Sequence, residues 1–71
     1  MTGAEFIRRV RHLGRERGVV VTFDERRGKG SHGTLYFGDR ATVVKDRKKE
    51  LGVGLLNDML KQLGLTKADL S

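Results

Sequence analysis

One histidine in a glycine-rich basic segment is the residue whose type and setting best suit chemistry. Segment 28–33 reads Gly-Lys-Gly-Ser-His-Gly, and it holds one of the two histidines of the chain. Histidine is the side chain whose ordinary pKa lies nearest neutral pH, so it both accepts and donates protons. Arg26, Arg27 and Lys29 lie beside it in sequence. The combination at His32 predicts proton transfer on a phosphate-rich polymer.

The same segment matches the glycine pattern of dinucleotide-binding loops, but the following residues exclude that interpretation. Such a loop needs a helix directly after the glycines, because the helix N-terminus binds the pyrophosphate. Here a strand is predicted to follow, and a Walker A pattern is absent. The remaining interpretations are a hairpin loop that needs glycine for its turn, and a loop whose open backbone N–H groups approach a phosphate.

Other catalytic chemistry finds little support in the chain. His12 falls on the polar side of a predicted helix, and we interpret it as a solvated surface residue. No His/Cys cluster has metal-ligand spacing, so we expect neither a metal nor another cofactor. Ser31 adjoins His32, but neighbours on a strand point to opposite faces, which argues against a Ser–His pair.

Length and charge restrict the class of protein further. The 71 residues predict a single domain over 1–71, with a formal net charge of +6 and no cysteine. The charges after Glu50 cancel, so the whole positive surplus lies in residues 1–50. A small basic domain of this kind most often binds nucleic acid. No apolar run has the length of a membrane span or a signal peptide, so we expect a cytoplasmic protein without membrane contact.

The residue pattern predicts a helix, three strands and a closing helix. Thr2 and Glu5 have capping-box spacing before an apolar stripe, which predicts a helix over about 3–17. Strands are expected over 19–25, 32–38 and 40–45, with a tight turn at Gly38-Asp39. A leucine-rich helix follows at about 54–63, its stripe including Leu55, and Thr66 begins one extra turn.

These elements predict an α+β fold, in which both helices cover one face of an antiparallel sheet. Ala41 and Val43 are expected to face the core on the third strand. The opposite face is then expected to be polar and open. The side chains assigned to that open face are Thr22, His32, Thr34, Tyr36 and Thr42.

Taken together, these features resemble the HicA toxins of bacterial toxin–antitoxin modules. The resemblance rests on the α-β-β-β-α order, the basic first helix, Gly30-Ser31-His32 at the second strand, and the ending Leu60-Lys61-Gln62-Leu63-Gly64-Leu65. It implies a double-stranded-RNA-binding-domain-like fold and an mRNA interferase that cleaves without the ribosome. It also implies a HicB-type antitoxin as partner, with the free toxin monomeric and the complex hetero-oligomeric.

By this resemblance, His32 is the catalytic histidine. Metal-independent RNA cleavage through His32, as general base or general acid, is therefore the first hypothesis. A non-catalytic module that binds double-stranded RNA is the alternative, and a module that docks an acidic protein is a third. The residues expected to contact RNA are Arg26, Arg27, Lys29, Ser31, Tyr36, Lys48 and Lys49.

Overall fold

The computed structural model describes residues 1–25 and 32–70, and it has the predicted order of elements. The elements are α1 Gly3–Arg17, β1 Val21–Asp24, β2 Gly33–Phe37, β3 Arg40–Val44, α2 Val53–Leu63 and a short α3 Lys67–Leu70. The α-β-β-β-α arrangement with an open three-stranded sheet is confirmed, and it is consistent with a double-stranded-RNA-binding-domain-like fold.

Helix α1 begins and ends where its sequence predicts. The Glu5 backbone N–H donates to the Thr2 hydroxyl at 3.2 Å, and the Thr2 backbone N–H donates to Glu5 Oε1 at 3.2 Å. This pair satisfies two N–H groups that a helix start leaves unbonded. The backbone hydrogen bond from Thr2 also lowers the pKa of Glu5. At the other end Gly18 adopts φ 69°, a left-handed conformation that glycine enters at little cost.

The sheet is an antiparallel meander in the order β1-β2-β3. Val21 pairs with Phe37, and Phe37 pairs with Arg40 across the turn at Gly38-Asp39. All three strands are shorter than predicted: β1 begins at Val21 and β2 at Gly33. His32 therefore lies immediately before β2 rather than within it.

Both helices pack on one face of this sheet and form a single core. Phe6 and Val10 of α1, Leu35 of β2, Val44 of β3 and Leu63 of α2 are all fully buried or nearly so, in one cluster. The predicted covering of one sheet face by two helices is therefore confirmed. The other face is left open, as one-sided antiparallel sheets commonly are.

The predicted inward face of β3 was wrong. Thr42 and Val44 point into the core, whereas Ala41 and Val43 are exposed on the open face. Pairing decides this, because Leu35 faces the core and lies directly opposite Thr42, so both side chains share a face. Thr42 is only 3 % exposed, and its hydroxyl donates to Gln62 Oε1 at 2.5 Å, which satisfies the buried oxygen.

The second helix agrees with its prediction in extent but differs in one side chain. It spans Val53–Leu63 and ends at Gly64 in a left-handed conformation. Leu55, predicted to belong to the buried stripe, is 49 % exposed. The extra turn is confirmed, since the Thr66 backbone N–H donates to Asp69 Oδ2 at 2.8 Å at the start of α3.

Candidate active site

His32 stands exposed at one end of the sheet, immediately before the central strand β2 begins. The next residue, Gly33, pairs with Val44, the last residue of β3. His32, just before Gly33, and Lys45, just after Val44, are thus the next residues beyond this final pair. Neighbouring strands lie about 5 Å apart, so the backbones of the two residues are close. An imidazole here is open to a large substrate and has a lysine on the adjoining strand.

Gly33 holds the start of β2 against an aromatic ring. A Cβ at this position would lie 2.4 Å from Phe23 Cζ, a distance that carbon atoms in contact do not reach. Glycine is therefore required here by the close approach of Phe23 rather than by an unusual backbone angle. The contact fixes the residue next to His32 to the end of β1.

Arg47 lies over the same ring. Its guanidinium lies 5.3 Å from the Phe23 ring centroid, and its Nη2 lies 3.0 Å from Glu25 Oε2. A guanidinium over an aromatic face is attracted by the ring quadrupole. Gly33, Phe23, Arg47 and Glu25 therefore form one stack, which we call the Phe23 stack. It joins the ends of β1 and β3 to the start of β2.

The segment that follows β3 is also bonded to the start of α1. The backbone N–H groups of Gly3 and Ala4 donate to the carbonyls of Lys49 and Arg47, at 3.3 and 2.9 Å. The Leu51 N–H donates to the Met1 carbonyl at 2.8 Å. Segment 46–51 is thus held by main-chain bonds even though it is neither helix nor strand. The lysine side chains of this segment therefore extend from a backbone that is held in place.

Lys48 and Lys49 are both exposed on this segment. The Lys48 N–H donates to Asp46 Oδ1 at 2.9 Å, which stabilises the bend. Through Arg47 and the Phe23 stack, the segment is tied to the same end of the sheet as His32. The structure therefore brings two of the predicted RNA-contact residues to the side of the molecule that carries the histidine.

Tyr36 lies on the open face of the sheet, four positions along the chain from His32. It is 40 % exposed, in the middle of the open face, between Thr22 and Ala41 on the flanking strands. A separation of four positions in extended chain places the two backbones about 13 Å apart. Beside Tyr36, a shallow depression along β1 is lined by Phe23 and Glu25 among others. Tyr36 therefore suits a base some way along a polymer and not one held at the histidine.

Four of the residues predicted to contact RNA, Arg26, Arg27, Lys29 and Ser31, lie outside the described residues. The second histidine is where the sequence predicts: His12 is exposed on α1, with its Nε2 3.7 Å from Glu16 Oε1. Among residues 1–25 and 32–70, no three His, Asp or Glu side chains are grouped in a way that could hold a metal ion. Over the same ranges, no helix is long and apolar enough to cross a membrane.

The sequence interpretation missed two participants, the Phe23 stack and Lys45. Phe23 and Arg47 are 24 positions apart, and only the fold brings them together. Lys45 could have been found from the sequence, because the turn at Gly38-Asp39 pairs Phe37 with Arg40. Counting outward from that pair places Lys45 opposite His32.

Comparison with known proteins gives one family match. The family model described as the HicA toxin of bacterial toxin–antitoxin matches residues 3–65, which include all of α1, the sheet and α2. Searches of curated proteins and of solved structures found no match. The matched region covers most of the chain and contains both the Phe23 stack and His32. The chain therefore belongs to the HicA toxin family of bacterial toxin–antitoxin systems.

Proposed function

We propose that this toxin is an endoribonuclease that cleaves mRNA in the cytoplasm, without the ribosome and without a metal ion, and that His32 is its catalytic residue. The observation that carries the proposal is the position of His32, exposed at the end of the sheet, with Lys45 just beyond the neighbouring strand β3. An exposed position of this kind accepts a polymer, which a closed pocket would not. Membership of the toxin family makes growth arrest the biological outcome.

The proposed reaction is attack of the RNA 2′-oxygen on the adjacent phosphorus. A bond forms between the 2′-oxygen and phosphorus, and the bond from phosphorus to the 5′-oxygen breaks. The 2′-hydroxyl loses a proton and the leaving 5′-oxygen gains one. His32 serves one of these transfers, as base at the 2′-hydroxyl or as acid at the leaving oxygen. One imidazole does not serve both at once, so water or a second group carries out the other proton transfer. General acid–base help of this kind contributes about 10²–10⁴-fold.

Lysines around His32 support the electrostatic part of the proposal. Charge accumulates on the phosphate oxygens during the attack, and positive groups already in place stabilise it. Lys45, Lys48 and Lys49 are exposed in the described structure. Arg26, Arg27, Lys29 and Ser31 remain proposed RNA contacts on the sequence argument, and Tyr36 is a proposed stacking platform farther along the strand.

The two histidines provide a matched test of the catalytic assignment. We expect His32→Ala to abolish cleavage of single-stranded RNA, and His12→Ala to retain it, because His12 is an exposed residue of α1. Both substitutions are at exposed positions, so circular dichroism should show two folded proteins. Undiminished cleavage by His32→Ala would refute the assignment. Loss of activity on adding EDTA to the parent would refute the metal-free part.

A non-catalytic RNA-binding function remains the second candidate, favoured by the outer surface of α1. Arg8, Arg11 and Arg15 are exposed there and follow one another at helical spacing, so they lie along one side of the helix. Such a row suits the phosphates of an RNA duplex. On this hypothesis binding weakens steeply with salt, survives His32→Ala, and yields no cleavage products from the parent.

We further propose that the antitoxin of this system is of the HicB type and covers His32 when bound. The free toxin is then a monomer, and the neutralised form is a hetero-oligomer. A short acidic reading frame next to the toxin gene is the expected source of this partner. Co-expression of that product should relieve growth arrest, and size-exclusion chromatography should show a mixed complex.

A further inference from the structure

An apolar groove lies beside His32, between β3 and the start of α2. Its volume is about 300 Å³. The apolar side chains that line it are Val43, Leu51, Leu55 and Met59, and the charged residues at its edge include Lys45 and Lys49. Val43 and Leu55 are two of the large apolar side chains that the described fold leaves exposed. The groove therefore has an apolar floor that is open to solvent.

The edge of the groove carries two lysines, Lys45 and Lys49, together with two carboxylates, Asp46 and Glu50. Glu50 is bonded to the N-terminal ammonium of Met1, and Asp46 accepts the Lys48 N–H. Neither Lys45 nor Lys49 forms an ion pair with a carboxylate within the part of the chain that the structure describes. Two ammonium groups are thus available to an anion above the apolar floor.

The groove reaches the position that lies opposite the proposed catalytic residue in the sheet register. Lys45 follows Val44, the partner of Gly33, and His32 precedes Gly33. Val43 also lies directly opposite Thr34, two residues beyond His32. The backbones at His32 and Lys45 are therefore about one strand spacing apart, or about 5 Å. An RNA strand bound at His32 reaches Lys45 and the groove over that distance.

We infer that this groove binds one nucleotide of the RNA, next to the phosphate that is cleaved. The flat apolar base lies on the Val43–Leu55 floor, and its phosphate contacts Lys45 and Lys49. A nucleotide combines these two chemistries in one unit, as the groove does. The inference rests on the proposed ribonuclease function and deepens it, since the groove would set which base flanks the cleavage point.

Leu55 offers a substitution that alters the groove without harming the fold. It is the third residue of α2, after the N-cap Gly52, and glutamate is favoured at that position. We expect Leu55→Glu to remove apolar floor and to repel the phosphate, and so to raise KM about tenfold with little change in kcat. The matched control is Val20→Glu, which makes the same change of charge at an apolar residue that is 77 % exposed and outside the groove.

A non-cleavable RNA tests binding directly. A short single-stranded 2′-O-methyl oligonucleotide has no free 2′-hydroxyl and so cannot react. Added to methyl-labelled protein, it should shift the methyl resonances of Val43, Leu55 and Met59. It should also give nuclear Overhauser contacts from base protons to these methyl groups, while Val20 stays unchanged.

The two measurements separate failure of the inference from failure of the proposed function. If the parent cleaves RNA while Leu55→Glu and Val20→Glu have equal KM and the groove methyls do not shift, the inference is overturned. The groove then belongs to another occupant, such as a protein segment. If the parent cleaves no RNA, the proposed function fails, and the methyl shifts alone decide the binding site.

Discussion

Replacing Gly33 with alanine tests the contact that holds the residue next to His32. The added Cβ would lie 2.4 Å from Phe23 Cζ and 2.9 Å from both Cε atoms of the ring. Ordinary carbon contacts are about 3.5–4.0 Å, so the ring must retreat by about 1 Å or more. Arg47 also lies over this ring, so the retreat disturbs that contact and its ion pair with Glu25.

The expected loss of stability follows from two opposing effects. Forcing an extra carbon into a packed contact costs about 1–3 kcal/mol. Alanine in place of glycine within a strand returns about 0.5–1 kcal/mol, because the unfolded chain has less freedom to lose. Taking the middle of each range, we expect Gly33→Ala to lower the free energy of unfolding by about 1 kcal/mol, and by about 2.5 kcal/mol at most. For a domain of this size, 1 kcal/mol is a fall in Tm of about 4–8 °C.

Urea denaturation followed by circular dichroism measures this change, and another glycine supplies the control. A Cβ at Gly54 in α2 would meet nothing within 4 Å. Gly54→Ala should therefore raise the free energy of unfolding, by about 0.5–1 kcal/mol. The two substitutions are chemically identical, and their opposite signs would isolate the Phe23 contact.

A second substitution at Phe23 shows whether the ring is the cause. Phe23→Leu removes the atoms that the alanine would strike, so Gly33→Ala should cost less in that background. We expect a coupling energy of at least about 0.5 kcal/mol in the double-mutant cycle. A Gly33→Ala protein as stable as the parent, or costs that simply add, would refute the argument that this glycine is required by packing.

Three further substitutions test the sheet register and the third helix. Val44→Ala should lower the free energy of unfolding by about 1–3 kcal/mol, because Val44 is fully buried. Val43→Ala, at an exposed position, should change it by less than about 0.5 kcal/mol. Equal costs for the two substitutions would contradict the register of β3. The hydrogen bond from Arg17, with those from Thr66, lowers the pKa of Asp69. The ionised Asp69 carboxylate therefore stabilises the fold at neutral pH, and this stabilisation is lost as the pH falls below about 4. Asp69→Asn should therefore shift the urea midpoint at pH 7 but not at pH 2, and a shift of equal size at both would refute this.

Local sequence features predicted the helices well because their ends depend on neighbouring residues. The Thr2–Glu5 box, and the related bonds between Thr66 and Asp69, each close within four residues of chain. The glycine at the end of α1 likewise acts on its own turn. Nothing distant is needed to place such ends, so the predicted and observed bounds of α1 agree.

The face of β3 was mispredicted because the apolar pattern of that strand is ambiguous. Ala41 and Val43 alternate correctly for one face, while Val44 alone marks the other. Counting apolar residues within the strand favours the first choice. Pairing favours the second, since the two-residue turn aligns Leu35 with Thr42. A shift of one residue reverses every side chain of a strand, so register outweighs composition here.

The sequence indicated the part of the candidate site that depends on one residue type, the histidine. It did not indicate the part that several segments of the chain form together. His32 was identifiable as the histidine of a basic, glycine-rich stretch of sequence. The Phe23 stack was not, since it joins residues of β1, β2 and segment 46–51 that only the fold brings together. Each of its members has an ordinary interpretation when taken alone in the sequence.

The open position of His32 also sets an expectation for how fast such an enzyme works. A single imidazole contributes about 10²–10⁴-fold through proton transfer. Fixed positive charge adds to this most strongly where water is excluded, and His32 is exposed. Under the proposed function, bound RNA itself must therefore exclude water at the phosphate. We expect a slow nuclease whose rate falls steeply as salt weakens that binding, in keeping with a toxin that need cut each message only once.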